Sequence, residues 1–417
     1  MNILEIYHKI EIRFSNLLFL NNRKEKIRVK LKWHSLRDKV FSLKNLNSAF
    51  KHVKRNKGKA GLDRVSIKQF EANMGVNILN IQKKLKTEIY KPKPVLRVNI
   101  PKDRHKTRPL GIPTVADRVV QQAFRQIIEP IFEDTFSDNS FGFRPGRSCH
   151  QAIEKLEYYK QQGYSYVIDA DIKAFYDSIP HKLIMDRLRE RIADGWVLKS
   201  IQKMLKAGVM EDGIMHKTDI GTPQGGVISP LLANLVGDII DKELEAANYK
   251  FVRYADDFVV LTKSYKQAKA ALEFVTELIE NKLGMELSKD KTELTNFRRG
   301  FKFLGYKFCG KYKVISEKSA IKLKDNIRKI TKRSQGVNLK AVIDRLNPVI
   351  RGHVNYFQLG DMRKFYRSLD CWIRMRLRAF KFSRKWKTDN KRFPIRRFRR
   401  MGLISSYLYF LVRNTEG

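Results

Sequence analysis

The chain has 417 residues, of which 42% are apolar and 31% charged, a composition that indicates a globular protein and excludes a disordered or fibrous one. Its 85 Lys and Arg against 43 Asp and Glu give a formal net charge of +42, so we expect a polyanionic partner, either nucleic acid or, as the competing interpretation, an anionic membrane surface. The three cysteines are far apart and the histidines have no HxxxH or HExxH spacing, so neither a zinc finger nor a histidine-based metal site is predicted.

The N-terminal part of the sequence predicts a basic arm, then helices and one strand. Eight basic residues stand against two acidic ones from Asn22 to Lys39, which is typical of an arm that binds nucleic acid or of a solvated helix face. Helical spacing predicts a helix from Leu43 to Val53, which the turn-rich sequence NKGKAG at residues 56–61 ends. Strict alternation then predicts a strand from Val95 to Pro101.

Two strands further along the chain carry the acidic residues that predict chemistry. The apolar sequence YSYVIDADI predicts a strand with Asp169 and Asp171 on one face, and RYADDFVVL predicts a hairpin with Asp256 and Asp257 at its tip. An Asp-Asp pair alone is more often an ordinary turn, but unpaired carboxylates among core strands are costly. Three facing carboxylates are what a two-metal site for phosphoryl chemistry uses. We therefore predict Asp171, Asp256 and Asp257 as magnesium ligands, with Asp169 and Asp177 in support.

Helical patterns alternate with these strands, which favours an α+β or α/β fold. We predict helices from Leu183 to Leu205, from Val227 to Leu244 and from Tyr265 to Leu283. The most apolar stretch, from Val227 to Ile240, contains Pro230 and is shorter than the roughly 18 residues that a membrane span needs. No membrane insertion is therefore expected.

Strand signals end after Lys313, and a domain boundary is expected at residues 312–316. Pro348 should either kink the second of three predicted helices or mark its start. Between residues 379 and 400, ten basic residues alternate with Phe380, Phe382, Trp386 and Phe393. This pattern favours stacking of bases and binding of phosphates, with a basic helix on a membrane surface as the alternative. The three predicted helices run from Glu317 to Arg333, from Leu339 to Phe357 and from Met362 to Phe382.

The sequence resembles the group II intron reverse transcriptase/maturases from about residue 43 to about residue 387, in blocks that follow one another in the family's order. The matching blocks are NKGKAGLDRVS, IPKDRHKTRPLGIPTVADRVVQQA, FSDNSFGFRPGRSCHQAI, VIDADIKAFYDSIPH, GTPQGGVISPLLANL, RYADDFVVL, FLGY and RLNPVIRGHVNYF. The resemblance implies an α+β right-hand polymerase of fingers, palm and thumb, with an antiparallel palm sheet and a helical thumb/maturase domain.

The resemblance also implies limits for the parts of the chain. They are a basic N-terminal extension at 1–42, fingers with palm elements at 43–164, the palm at 165–312, the thumb/maturase domain at 313–383 and a basic, apparently shortened tail at 384–417. Since family members commonly continue further, part of the RNA-binding region is expected to be missing, and no HNH-type endonuclease is expected.

The activity that the resemblance implies is RNA-directed DNA synthesis. In the family, the residues that correspond to Asp171, Asp256 and Asp257 bind two Mg²⁺ ions, with the backbone carbonyl of Ile172 as a further ligand. One ion lowers the pKa of the primer 3′-hydroxyl and the other neutralises the leaving pyrophosphate. Tyr176, five residues after Asp171, corresponds to an aromatic steric gate against the ribose 2′-hydroxyl, although an isolated Tyr is more often a core aromatic.

Further residues are implied to contact the incoming dNTP and the primer. Lys102 and Arg108 correspond to the cations that clamp the triphosphate, with Arg118 as a weaker member. Gln224 in GTPQGG corresponds to a residue under the nucleotide sugar, and Lys291 to a general acid for pyrophosphate. The FLGY sequence resembles the primer grip, which comprises Phe303, Leu304, Gly305 and Tyr306.

The implied partners are an RNA template, group II intron RNA, a DNA primer or target and dNTPs, with no membrane, and the oligomeric state stays open. The Lys- and Ile-rich composition favours a bacterial cytoplasm. Two alternatives remain: a splicing cofactor whose polymerase has decayed, and a domesticated relative in host defence or repair. Intact YADD and GTPQGG sequences argue against decay.

Overall fold

A computed structural model describes residues 32–101, 107–383 and 389–415. The first part of the described chain is a layer of helices that packs against one long helix, Val115–Glu133. The helix predicted from Leu43 and the strand predicted from Val95 are both confirmed. The elements are α1 (Arg37–Phe41), α2 (Leu43–Arg55), α3 (Ile67–Ala72), α4 (Met74–Lys86), β1 (Val95–Pro101), β2 (Thr107–Ile112), α5 (Val115–Glu133) and α6 (Cys149–Gln161).

The middle of the chain alternates strands and helices. A short π-helical turn at Leu278–Lys282 follows the last of these helices. The elements are β3 (Tyr166–Asp171), α7 (Phe175–Ser178), α8 (His181–Arg191), α9 (Gly195–Leu205), β4 (Val209–Glu211), β5 (Ile214–His216), α10 (Ser229–Ala246), β6 (Lys250–Tyr254), β7 (Asp257–Thr262), α11 (Tyr265–Glu277) and β8 (Glu293–Asn296).

The single helix predicted from Leu183 to Leu205 is wrong, because the chain breaks between α8 and α9. Ile192 is extended, and the Asp194 side chain accepts hydrogen bonds from the amides of Trp196 and Val197, both at 3.1 Å, which caps α9. The second oxygen of Asp194 accepts from the amide of Leu36 at 2.8 Å, which ties the start of the helical layer to this break. An Asp-Gly pair inside an apolar period was the signal for it.

A four-stranded antiparallel sheet, which we call the palm sheet, has the order β6-β7-β3-β8. Its two faces differ because side chains alternate along each strand. Ile168 and Ala170 face a core shared with α11, while Asp169 and Asp171 lie on the opposite face with Val167. This placement of the side chains confirms the alternation predicted for β3. A second sheet has the order β2-β1-β4-β5.

The last part of the described chain is a three-stranded sheet followed by helices, and the three predicted helices are confirmed. Pro348 lies inside the second of them, which begins after the Asn338 cap, so Pro348 does not mark its start. None of the helices in the described ranges is long and apolar enough to cross a membrane. The elements are β9 (Phe301–Phe303), β10 (Tyr306–Cys309), β11 (Tyr312–Ile315), α12 (Glu317–Ile330), α13 (Leu339–Tyr356), α14 (Arg363–Lys381), α15 (Ile395–Arg400) and α16 (Ser406–Thr415).

The C-terminal helices share a hydrophobic core with one face of the palm sheet, the face on which Val167, Asp169 and Asp171 lie. Val259 of β7, Phe303 of β9 and Val342 of α13 belong to one buried cluster. The predicted stacking of bases on Phe380 and Phe393 is wrong, because these rings are 8% and 5% exposed and fill this core. Arg397 lies over the Phe393 ring, 5.6 Å from its centroid. The domain limits given above stay a prediction.

Candidate active site

The site is built on a direct cross-strand pair between Asp171 and Asp257. The register of β3 against β7 places these residues opposite each other. The Asp171 carbonyl accepts from the amide of Ser288 at 2.8 Å, so its peptide groups point away from β7. Asp171 and Asp257 therefore form a non-hydrogen-bonded pair, the kind in which side chains come closest. The predicted meeting of a strand Asp with a hairpin Asp is confirmed.

Asp256 lies at the tip of the β6–β7 hairpin, which a buried network holds. Ala255 has a left-handed φ of +60°, and a Cβ on Gly142 would lie 2.3 Å from its amide nitrogen, so the chain can pass behind the tip only because residue 142 is glycine. Arg253, which is 2% exposed, donates to Asp241 at 2.6 and 2.8 Å and to the Ala255 carbonyl at 3.0 Å. These hydrogen bonds fix the backbone of the hairpin tip, and with it the position of Asp256.

Burial and the crowding of carboxylates raise two pKa values in the site. Burial, together with Asp256 and Asp171, raises the pKa of Asp257 to about 7, while a hydrogen bond from the Leu304 amide opposes the rise. Burial and the charges of Asp257, Asp171 and Glu293 raise the pKa of Asp169 to about 7. A cation placed among these groups would relieve their repulsion.

A lysine already lies on this cluster. Lys291 Nζ contacts both carboxylate oxygens of Asp171, at 2.8 and 2.9 Å. Within the described ranges, no three Asp, Glu, His or Cys side chains already converge as metal ligands. The carboxylates nevertheless fit Mg²⁺ in their chemistry, because this ion prefers hard oxygen ligands. The Asp171 carboxylate also already binds one cation, the ammonium group of Lys291.

The backbone after β3 turns a carbonyl toward the hairpin. The amide of Lys173 donates to the carbonyl of Glu286 at 2.8 Å, and the Asp171 carbonyl accepts from Ser288 on the same side. Consecutive peptide groups of an extended chain point to opposite sides, so the Ile172 carbonyl points to the side of β7. This orientation agrees with the ligand role predicted for Ile172.

Tyr176 lies between the carboxylates and the GTPQGG sequence. Its carbonyl accepts from the amide of Thr222 at 2.7 Å. Burial and the charge of Asp256 raise the pKa of its phenol, while Arg253 and Arg108 lower it, so Tyr176 lies within electrostatic reach of both Asp256 and Arg108. Asp177 packs against the same sequence, since a Cβ on Gly221 would lie 2.6 Å from its carbonyl oxygen.

The GTPQGG sequence is hydrogen bonded to the strand that carries Arg108. The Gln224 carbonyl accepts from the amide of Gly111 on β2 at 2.6 Å, and a Cβ on Gly225 would lie 2.4 Å from the Gly111 carbonyl. Glycine is therefore needed for this approach. Arg108 is exposed, whereas Arg118 is buried and donates to the Lys59 carbonyl at 2.5 Å, which holds the loop at 56–61. Lys102 lies outside the described residues.

The FLGY sequence forms a tight turn that contacts the carboxylates. Phe303 and Tyr306 pair across β9 and β10, and Leu304 and Gly305 between them have φ values of +47° and +79°. The Leu304 amide lies close enough to the Asp257 carboxylate to lower its pKa. The sequence resemblance named these residues, but their approach to Asp257 depends on the packing of two distant sheets.

Two family models match the chain. The one described as "Reverse transcriptase (RNA-dependent DNA polymerase)" matches residues 100–308, a range that contains every site residue predicted from the sequence. The one described as "Group II intron, maturase-specific domain" matches residues 321–400. The chain belongs to the group II intron reverse transcriptase/maturase family. Its α+β architecture with an antiparallel palm sheet is that of a right-hand polymerase, and its enzymatic class is RNA-directed DNA polymerase.

Two bacterial relatives agree with this assignment. Protein YkfC of Escherichia coli is 34% identical over 290 residues, which are 60% of this chain and 76% of YkfC. The group II intron-encoded protein LtrA of Lactococcus lactis is 34% identical over 294 residues, which are 55% of this chain and 49% of LtrA. This reverse transcriptase thus spans about half the length of LtrA. Telomerase from Candida albicans matches at 13% identity and a TM-score of 0.44 over 84% of this chain and 69% of that one, a similarity too low to decide anything.

Sequence reasoning missed three residues that hold the site of this reverse transcriptase. Arg253 and Asp241 form a buried ion pair beneath the hairpin, and Tyr356 of α13 accepts and donates hydrogen bonds at the FLGY turn. The signal for Arg253 was a charged residue in an apolar strand, which requires a buried partner. No local signal distinguished Tyr356 from a core aromatic.

Proposed function

We propose that this chain extends a DNA primer on an RNA template with dNTPs, using two Mg²⁺ ions, and that it binds group II intron RNA to assist splicing and mobility in a bacterial cytoplasm. The observation that carries the proposal is the direct pairing of Asp171 with Asp257, with Asp256 at the adjoining hairpin tip.

The carboxylates and the carbonyl of Ile172 would hold the metal ions. When bound, the two ions would lower the pKa of the primer 3′-hydroxyl and neutralise charge on the leaving pyrophosphate. Asp257 must lose its proton to serve as a ligand, because its pKa is raised to about 7. Lys291 must leave Asp171 in part, and it is then positioned to donate a proton to the leaving group.

The residues around Tyr176 would select and hold the nucleotide. Its ring is packed edge-on against Phe175, with 5.9 Å between the ring centroids, so it stays in place while a sugar binds beside it. A ribose 2′-hydroxyl would collide with a ring so held. Arg108 would bind the triphosphate through its guanidinium fork, Lys102 is the second cation that the sequence resemblance assigns to this task, and Gln224 would lie under the sugar. The turn from Phe303 to Tyr306 would hold the primer end.

The maturase part of the proposal is supported by charge. The chain carries a net charge of +42, and the helices α14 and α15 contribute a run of arginines next to the polymerase part. Each phosphate that such residues neutralise releases counterions, so binding of intron RNA should weaken steeply as salt rises.

The experiment is primer extension on an RNA template with Mg²⁺ and dNTPs, comparing wild type with Asp256→Ala. Asp186→Ala is the matched control, because Asp186 is an exposed aspartate that pairs with Lys182 at 3.0 Å on α8. Activity that only the Asp256 substitution abolishes supports the polymerase proposal. Folded wild type without activity would refute it and would favour the splicing-cofactor alternative, which binding of labelled intron RNA tests separately.

A further inference from the structure

Tyr356, at the end of α13, is the point where the maturase-matched segment contacts the polymerase site. Its hydroxyl donates to the Leu304 carbonyl at 2.9 Å, and the thiol of Cys149 lies near the same side chain, where it contributes to the raised pKa of Tyr356. Residue 356 lies inside the maturase match at 321–400 and outside the reverse transcriptase match at 100–308. The contact therefore joins two segments that the family models treat separately.

The backbone of Leu304 links Tyr356 to the surroundings of Asp257. Its carbonyl accepts from the Tyr356 hydroxyl at 2.9 Å, and its amide lies close enough to the Asp257 carboxylate to lower the pKa of that group. Leu304 has a φ of +47°, a conformation that is unfavourable for a residue with a Cβ and persists only when its surroundings enforce it. The hydrogen bond from Tyr356 helps to hold Leu304 in this conformation.

Tyr356 is itself fastened from two other parts of the chain. Its carbonyl accepts from the Tyr306 hydroxyl at 2.6 Å and from His150 Nε2 at 2.9 Å. His150 lies in the first turn of α6 and Tyr306 begins β10, so three elements far apart in sequence meet at this residue. Hydrogen bonds thus connect α6, β10 and α13 to the turn at Leu304, whose amide lies near Asp257.

We infer that Tyr356 is a positioning residue for the polymerase site: its hydroxyl sets the backbone of Leu304, and through the Leu304 amide it sets the orientation of the Asp257 carboxylate. The inference rests on the proposed polymerase function. It means that the helical segment named for maturase activity also completes the metal site of the polymerase.

The test compares Tyr356→Phe with Tyr409→Phe, which also removes one hydroxyl that is hydrogen bonded to α13. The Tyr409 hydroxyl donates to Asn355 Oδ1 at 3.2 Å and does not reach the turn. Binding of Mn²⁺ is measured by electron paramagnetic resonance without substrates, and kcat and the KM for dNTP by primer extension. Circular dichroism and thermal unfolding establish that each variant is folded.

We expect Tyr356→Phe to weaken Mn²⁺ binding and to lower kcat by about fivefold each, the effect of one hydrogen bond, with the KM for dNTP unchanged. Tyr409→Phe should match wild type in all three. His150→Phe, which removes one fastening of Tyr356 and keeps its hydroxyl, should give a smaller loss in the same direction, and it carries the test if Tyr356→Phe does not fold.

Wild-type Mn²⁺ affinity and kcat in folded Tyr356→Phe would overturn the inference. If wild type extends no primer, the polymerase proposal fails, while the Mn²⁺ measurement still decides the role of Tyr356. If wild type binds no Mn²⁺, both fail. An equal loss in Tyr409→Phe would also overturn the inference, because it would assign the effect to general packing of α13.

Discussion

Lys291 Nζ lies across both carboxylate oxygens of Asp171, at 2.8 and 2.9 Å. An ammonium group in this position competes with a divalent ion for the same oxygens. The same group, once released, is a proton donor close to the reacting phosphates. Removal of the ammonium group should therefore strengthen metal binding and slow turnover.

We expect Lys291→Met to tighten Mn²⁺ binding to the substrate-free protein by severalfold and to lower kcat in primer extension. The tightening follows from removal of the competing charge, and the loss of kcat from removal of the acid. Lys173→Met is the matched control, because Lys173 is an exposed lysine that pairs with Glu286 at 3.0 Å. Unchanged Mn²⁺ affinity in Lys291→Met would show that the ion does not use the Asp171 oxygens.

Metal affinity should rise with pH through about 7. The pKa values of Asp257 and Asp169 are both raised to about 7, first by burial and then by neighbouring carboxylates, so each group is largely protonated at pH 6 and must lose its proton before an ion can replace it. We expect the Mn²⁺ dissociation constant to fall by about tenfold from pH 6 to pH 7 and to level off near pH 8. A dissociation constant independent of pH over this range would contradict the assignment.

The stability of the metal-free protein should change in the opposite sense. A folded carboxyl with a raised pKa keeps its proton at a pH where the unfolded carboxyl, whose pKa has the ordinary aspartate value of 3.8, has lost it. The contribution of Asp257 to the free energy of unfolding should therefore fall as the pH rises from about 4 to about 7 and stay constant above that. Urea unfolding in a chelator should show Asp257→Asn to be less sensitive to pH than wild type.

Replacing Tyr176 with Ala should admit ribonucleotides. The ring lies within reach of both Asp256 and Arg108, and its removal leaves room for a 2′-hydroxyl beside the sugar. We expect the ratio of kcat/KM for rNTP to that for dNTP to rise by about one order of magnitude or more, a size that relief of a steric clash can give. Tyr158→Ala, at an exposed tyrosine on α6, is the control, and equal discrimination in both variants would refute the gate.

Breaking the ion pair beneath the hairpin should destabilise the whole palm sheet. Arg253 and Asp241 are 2% and 0% exposed in their side chains, and removal of one partner leaves the other charge buried. We expect Asp241→Asn to lower the free energy of unfolding by about 3–5 kcal/mol, measured in urea. Lys182→Met, which loses only an exposed pair with Asp186, should stay within about 0.5 kcal/mol of wild type. A small effect at Asp241 would mean that the pair contributes little to the fold.

Local patterns in the sequence determined the elements that carry the chemistry. Alternation placed Asp169 and Asp171 on one face of β3, and the apolar runs around YADD set the hairpin, because side-chain period and turn chemistry are properties of neighbouring residues. The break between α8 and α9 is not visible in the sequence pattern, because an apolar period can run across a cap. For the same reason the local pattern predicts stacking surfaces at Phe380 and Phe393, although burial assigns both rings to the core.

Tertiary structure decided which further groups join these carboxylates. The contact of Lys291 with Asp171 spans 120 residues, and the hydrogen bond of Tyr356 with Leu304 spans 52. The sequence by itself supplied the carboxylates, the glycines and the family. How the pieces join depends on the packing of separate sheets and helices against one another, and contacts between distant segments leave no period in the sequence that could reveal them.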